Sequence, residues 1–398
     1  MKNIKDYCIV TAAYWSFMLT DGALRMLCLL YFHDLGYSPL QLSFVFLLYE
    51  FCGVLTNLFG GLFAQRHGLK KSLIYGLSLQ VIALVLLSFL NQNWSLALSL
   101  TFVMGTQALS GIAKDLTKMS SKTAVKFLIP DKSSQLFKWT AILTGSKNTI
   151  KGLGFFFGAF LLQSCGFQSS LKIMALMIFI ILILVLACLK GNMGQIKSKN
   201  RLKDLFKQGQ KINLLAGARV FLFGARDIWF VVALPVFMRQ VLEWSYTQIG
   251  TFHASWIIGY GIVQTFAPKL LAEKRDTKTA FNLSIFLCIS MLSLLFCSVL
   301  FPQHSYLLII GLLIFGFVFA LNSSLHSYLI LAFANKDKAA MTVGFYYMAN
   351  AIGRLFGTLL SGLLFHFGGL NACLVGSLCF LLTCSFLSKK LQNTTVQN

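Results

Sequence analysis

Acidic residues are scarce in this chain. Its 398 residues include 12 Asp plus Glu against 34 Lys plus Arg, and charged residues of both signs make up only 12%. A soluble domain carries about a quarter charged residues, so a chain that is 57% hydrophobic and this poor in charge has no water-facing exterior to offer. Proline is rare as well, with five in all, which leaves room for long uninterrupted helices. The ten cysteines form no CxxC pair and no ligand-like spacing, so no metal centre is expected. Most of them sit inside apolar runs, where they read as small hydrophobes. The formal charge of +22 would point a soluble protein towards nucleic acid, but no basic domain stands clear of the apolar runs, and no nucleic-acid partner is expected.

What the chain does have is a succession of apolar stretches about 20 residues long, the length that crosses a bilayer. Twelve are legible, near 8–32, 39–64, 72–90, 95–113, 139–162, 169–189, 213–238, 246–270, 279–300, 305–333, 340–366 and 368–388. The first is too long for a signal-peptide core and lacks a small-residue cleavage site, so it is expected to remain as a span. Basic residues then sort by loop. Of the 34 Lys and Arg, 26 lie at the N-terminus, in the loops after spans 2, 4, 6, 8 and 10, and in the C-terminal tail, whereas the opposite loops hold only Arg239. By the positive-inside rule both termini and the central loop are expected on the cytoplasmic side.

The longest polar connection, residues 190–212, is a basic linker that divides the chain into an N-terminal half, 1–189, and a C-terminal half, 213–398. The halves carry traces of duplication. Ser38 and Ser245, Gln41 and Gln248, Lys71 and Lys278, and Lys147 and Arg354 are each 207 residues apart. The expected fold is therefore an all-α integral membrane protein, with 12 transmembrane helices in two pseudo-symmetric six-helix halves related about the membrane normal. That arrangement is the major facilitator architecture. The loop after span 2, "GLFAQRHGLKK", resembles that superfamily's gating signature through Gly61, Arg66, Gly68, Lys70 and Lys71, with Gln65 where the signature has Asp.

Charges also occur where apolar residues dominate. Within spans lie Asp21, Glu50 and Asp227, and Arg25, Lys147, Lys151, Arg219, Arg226 and Arg354. A charge at the bilayer centre costs about 2.5–3.5 kcal/mol on insertion scales, so each needs a partner or a water-filled path. Three acids cannot neutralise six bases, and the surplus points to a path that binds anions. Asp21 and Arg25, four residues apart, can pair within one helix, or Arg25 can face the path. Arg226 and Asp227 point about 100° apart and are expected to find separate partners. Lys147 and Lys151 share a face of span 5, followed by Gly152, Gly154 and Gly158, which permit close approach of a neighbouring helix. Asn350 and Arg354 share a face of span 11. Lys114, Lys118, Lys122 and Lys126 recur every fourth residue, as on a cytoplasmic helix lying on anionic lipid or an electrostatic funnel.

The candidate substrate-binding set is Arg25, Lys147, Asn148, Arg226, Asn350 and Arg354, with Asp21, Glu50 and Asp227 as charge-pairing or proton-coupling groups. No catalytic residue is assigned, because no nucleophile lies near a membrane face. Neither enzyme activity nor a cofactor is expected.

Several stretches, "YWSFMLTDGALRML", "YEFCGVLTNLFGG", "QALSGIAKDLTKMSSKTAVK", "AILTGSKNTIKGLGFF" and "RVFLFGARDIWFVVALPV", are similar to the ArsJ-type organoarsenical efflux permeases. The resemblance runs from span 1 through span 8 and continues in "GFYYMANAIGRLFGTLLSG". It implies export of 1-arseno-3-phosphoglycerate across the inner membrane, arsenate resistance, and a functional link to a glyceraldehyde-3-phosphate dehydrogenase that uses arsenate in place of phosphate. The alternative is an exporter or exchanger of another phosphorylated or anionic metabolite. The partners expected are the small anion and the lipid bilayer, and a monomer is expected.

Overall fold

Each of the expected spans falls on helix in the computed structural model, which describes residues 2–91, 93–128, 133–189, 208–271, 275–301, 304–334 and 339–396, with side chains left out at 2–4, 60–67, 122–128, 133–145, 331, 339–341, 343 and 395–396. Among the described residues the helices are α1 (Lys2–Asp34), α2 (Pro39–His67), α3 (Leu69–Ser88), α4 (Leu96–Leu128), α5 (Ser133–Cys188), α6 (Gln210–Phe230), α7 (Ala233–Gln240), α8 (Tyr246–Leu270), α9 (Thr277–Leu300), α10 (Ser305–Phe333) and α11 (Ala339–Val396), and no strand occurs. Among the described residues, eight stretches are long and apolar enough to cross a membrane. α1 and α8 are not among them, since Asp21 and Arg25 in α1, and His253 and Gln264 in α8, interrupt their apolar runs.

Two of the long helices each contain two expected spans, and glycine supplies the break. α5 leaves helical geometry at Gly166 (φ 73°), between spans 139–162 and 169–189. α11 does so at Gly368 and Gly369, the latter at φ 62°, a left-handed conformation that favours glycine. Span 213–238 is instead divided between α6 and α7. Pro235 has no N–H, and its ring collides with the carbonyl four residues back, at Val231, where the helix opens. The freed N–H groups of Val232 and Ala233 both donate to Ser361 Oγ, at 3.2 and 3.0 Å.

The suspected repeat has matching local chemistry. At the start of α2, Ser38 N–H donates to Gln41 Oε1 at 2.8 Å and Gln41 N–H donates to Ser38 Oγ at 3.3 Å. At the start of α8, Ser245 and Gln248 make the same reciprocal pair at 2.8 and 3.3 Å. Both are capping boxes. α9 is capped differently, by Asp276, whose carboxylate accepts from Thr279 N–H at 2.7 Å. That backbone hydrogen bond holds the Asp276 carboxyl below its usual range.

Two compact units are present. One comprises Met1–Leu35, Phe44–Lys199 and Ser245–Ile258; the other comprises Gly36–Ser43, Asn200–Trp244 and Gly259–Asn398. In the first, α1 packs on α5 and α4, and α3 on α4 and α5. In the second, α11 packs on α6, α7 and α9, and α9 on α10.

In each unit glycine draws a helix pair together at the charged residues. In the first, a methyl group at Gly158 of α5 would strike the Ala23 carbonyl and lie 2.7 Å from its Cα, while Gly154 and Gly22 abut each other's backbone. In the second, a methyl group at Gly353 of α11 would strike the Val220 carbonyl, and one at Gly357 would lie 2.7 Å from Asp227 Cβ. Small residues four apart let the two backbones touch, as in tightly packed membrane helices.

Helix boundaries depart from expectation in two places. α4 does not end near residue 113 but continues to Leu128, which takes Lys114 and Asp115 into the first unit. α6 begins at Gln210, inside the stretch expected as linker, and residues 190–207 of that linker lie outside the described residues.

Glycine-to-valine changes at positions 158 and 353 are predicted to cost more than the roughly 1–3 kcal/mol of ordinary overpacking, because the obstacle is backbone. The purified variants should lose the monodisperse peak in size-exclusion chromatography. Gly105→Ala, where nothing lies within 4 Å, should keep it.

Candidate functional site

In the first unit the glycine contact sets Asp21 of α1 against Lys151 of α5, whose Nζ lies 2.6 Å from Asp21 Oδ2. Tyr49 of α2 donates its hydroxyl to the other Asp21 oxygen. Arg25, one turn along α1, turns away and pairs with Glu50 of α2, with its guanidinium 5.1 Å from the Phe46 ring and 5.2 Å from the Tyr49 ring. The other side of this group is built by α4. Lys114 Nζ stands 4.0 Å from the centre of the Tyr49 ring and 3.7 Å from Asp115 Oδ2. Lys118 Nζ bridges Asp115 Oδ1, at 2.7 Å, and Asn57 Oδ1, at 2.9 Å. Asp21, Glu50, Lys114 and Asp115 are all buried. Lys147 and Asn148 lie on α5 one turn before Lys151, each half-buried.

In the second unit Asp227 of α6 is the buried carboxylate. Arg226 folds back onto it, with Nε 2.7 Å from Oδ1, and Arg354 of α11 brings Nε to 3.7 Å from Oδ2. The Phe223, Phe230 and Phe319 rings surround the Arg226 guanidinium at 5.0, 5.8 and 5.5 Å. A second arginine of α6, Arg219, donates Nε to Asn350 Oδ1 at 3.0 Å and Nη1 to Ser323 O and Oγ at 3.0 and 3.1 Å.

These pairings correct four expectations. Asp21 and Arg25 do not pair with each other. Although they share a helix face, α5 is close enough to offer Asp21 a lysine, and α2 offers Arg25 a glutamate. Glu50, isolated from any base in the sequence around it, is accordingly a paired acid. Arg226 and Asp227 do pair directly, because three methylene groups let the arginine fold back to its neighbour. Lys114 and Lys118 do not rest on a lipid surface but are tied to Asp115, one of whose oxygens lies 3.0 Å from where a methyl group at Gly53 would sit. The side chains of Lys122 and Lys126 lie outside those described.

Of the gating signature, Gly68 links α2 to α3 at φ 84°, as only glycine does readily, and its carbonyl accepts from Ser72 N–H at 3.2 Å. Lys70 and Lys71 lie in the first turn of α3, the latter exposed. The side chain of Arg66, and Gly61 with it, falls among those not described.

Sequence reasoning missed Tyr49, Asn57, Lys114, Asp115 and Lys118, and left Arg219 outside the candidate set. The adjacent "YE" at 49–50 and "KD" at 114–115 were the available signals: polar pairs at the margin or in the middle of apolar runs. Counting the described groups of both clusters, the first unit has Arg25, Lys114, Lys118, Lys147 and Lys151 against three carboxylates, and the second has three arginines against one. The surplus of base over acid thus survives the inclusion of α4.

Long apolar helices with buried, paired charges define a multi-pass membrane protein. A model of the Major Facilitator Superfamily matches residues 10–229 and 215–394, and the chain belongs to that superfamily of transporters. Part of the chain is also similar to a "Na(+), Li(+), K(+)/H(+) antiporter" of Planococcus maritimus, 32% identical over 132 residues. That match covers 33% of this chain and 30% of the relative's length.

Removing one member of a buried ion pair costs about 3–5 kcal/mol, far more than replacing both. Asp21→Asn should therefore lower the melting temperature of the purified protein sharply, and adding Lys151→Met should recover most of the loss. Equal melting temperatures for the single and double variants would show that the pair is not coupled.

Proposed function

We propose that this protein is a secondary transporter that exports a small, doubly anionic organic solute from the cytoplasm by alternating access. The observation that carries the reading is the surplus of bases over acids within the membrane-spanning helices of each unit, together with the engagement of each buried carboxylate by a base. A membrane interior gains nothing from net positive charge unless an anion shares it. Arginine suits the task because its planar fork binds phosphate and related oxyanions through two parallel hydrogen bonds. In this reading the candidate anion contacts are Arg25, Lys147 and Asn148 in the first unit and Arg226, Asn350 and Arg354 in the second. Asp21, Glu50 and Asp227 hold the bases in place between substrates or exchange protons with them.

The substrate we propose is 1-arseno-3-phosphoglycerate, with arsenate resistance as the outcome. The likeness to organoarsenical efflux permeases supports it, as does the chemistry: phosphate at one end and arsenate at the other demand two separated basic groups. Another phosphorylated metabolite meets the same demand and is the alternative. The distribution of Lys and Arg supports an inner-membrane orientation with both termini in the cytoplasm.

A second reading, exchange of monovalent cations for protons, is favoured by the name of the Planococcus maritimus relative. It would need a carboxylate available to a cation. The described buried carboxylates instead face Lys or Arg, and this weighs towards anions.

Expression together with an arsenate-using glyceraldehyde-3-phosphate dehydrogenase in arsenate-sensitive cells tests the substrate. Resistance should rise and cellular arsenic should fall. If neither changes while the protein is present in the membrane, the arsenical is the wrong substrate. Arg226→Gln leaves Asp227 with Arg354 as its counterion and should abolish export at normal protein levels. Retained export in that variant contradicts the role given to Arg226.

A further inference from the structure

Arg219 differs from the other bases within the spans. It is 5% exposed, and its contacts are all neutral: the Asn350 amide oxygen, the Ser323 carbonyl and hydroxyl, and the faces of Phe223 at 3.9 Å and Tyr346 at 4.9 Å. Among the described residues no carboxylate lies within ion-pair distance of it. The acid of this unit, Asp227, is already shared by Arg226 and Arg354. The acceptors are all neutral, so these hydrogen bonds give the guanidinium no counterion to offset a burial that costs several kcal/mol. Its Nη2 makes no hydrogen bond to a described residue.

The surroundings supply further neutral groups. Ser323 Oγ is 3.1 Å from Tyr260 Oη, and Gln264 Nε2 donates to Tyr260 Oη at 2.7 Å. His326, three residues beyond Ser323 on α10, is fully buried and within Coulombic reach of Arg219, and neither of its ring nitrogens has a hydrogen-bond partner. A neutral imidazole offers one N–H donor whichever tautomer it adopts. A buried guanidinium with no carboxylate against it among the described residues, close to an unpartnered ring donor, is a donor set suited to an oxyanion.

We propose that Arg219, with His326 as a neutral donor beside it, seats a phosphate-like oxyanion, and that this is the principal anion contact of the second unit, ahead of Arg226 and Arg354. The inference rests on the anion-transport reading and narrows it to one residue. Arg226 and Arg354 share a permanent counterion and are held in place by it, whereas Arg219 takes its counterion from the solute.

Full-length protein in phosphatidylcholine nanodiscs, titrated calorimetrically with orthophosphate and with 3-phosphoglycerate, tests this. The wild type should bind both saturably, and Arg219→Gln should bind at least about tenfold more weakly. Asn350→Asp guards against a variant that fails to fold. It gives Arg219 an internal carboxylate, so the melting temperature should rise while anion binding is lost. Binding within about twofold of wild type in either folded variant overturns the proposal but leaves anion transport standing. No binding by the wild type overturns both. Nanodiscs of phosphatidylglycerol should give the same affinity. Loss of soluble-anion binding there would assign the seat to a lipid headgroup and contradict a solute site.

Discussion

Contact between glycine-lined backbones is the constraint on which the buried charges depend. Gly154 and Gly158 bring α5 onto α1, and Gly353 and Gly357 bring α11 onto α6. In each pair the charged residues flank the contact. Lys151 precedes Gly154 by one turn and meets Asp21, the neighbour of Gly22; Arg354 follows Gly353 and reaches Asp227, whose Cβ faces Gly357. At a larger helix separation these ions would have to be neutral or solvated. Close approach makes a short ion pair possible without water, and the ion pair in turn fixes the register of the two helices.

Two kinds of intramembrane base follow. Lys151, Arg25, Lys118 and Arg226 each have a carboxylate in direct contact and are held rigidly. Arg219 is held by amide, hydroxyl, carbonyl and aromatic faces alone. The distinction matters for transport. A base with a permanent counterion gains less from a passing anion than one held by neutral groups, because binding must displace the acid or crowd it. A base held by neutral groups gains the full charge interaction when an anion arrives and loses it when the anion leaves.

The fold was legible in the sequence because a bilayer leaves few choices. Twenty apolar residues must be helical, and the breaks at Gly166, at Pro235 and at Gly368 and Gly369 occur where glycine or proline punctuates such runs. The capping boxes at Ser38 and Ser245 were visible as a repeated pattern for the same reason: their partners are three residues away. The charge pairs were not legible. Asp21 and Lys151 are separated by 130 residues, and Arg25 and Glu50 by 25, so which acid meets which base is decided by helix packing. Lys114 illustrates the same limit. Lysines at every fourth residue describe a solvated face and a buried one equally well until the aromatic ring of Tyr49 and the carboxylate of Asp115 are placed beside them.

The central claim is that the surplus of bases within the membrane-spanning helices serves an anion. Purified protein in proteoliposomes, loaded with a pH indicator and presented in turn with 3-phosphoglycerate and with sodium and potassium salts, tests it most directly. The account predicts protein-dependent, saturable flux of the organic anion and no proton movement in response to sodium or potassium. Proton exchange driven by either cation, with no flux of the anion, would contradict it.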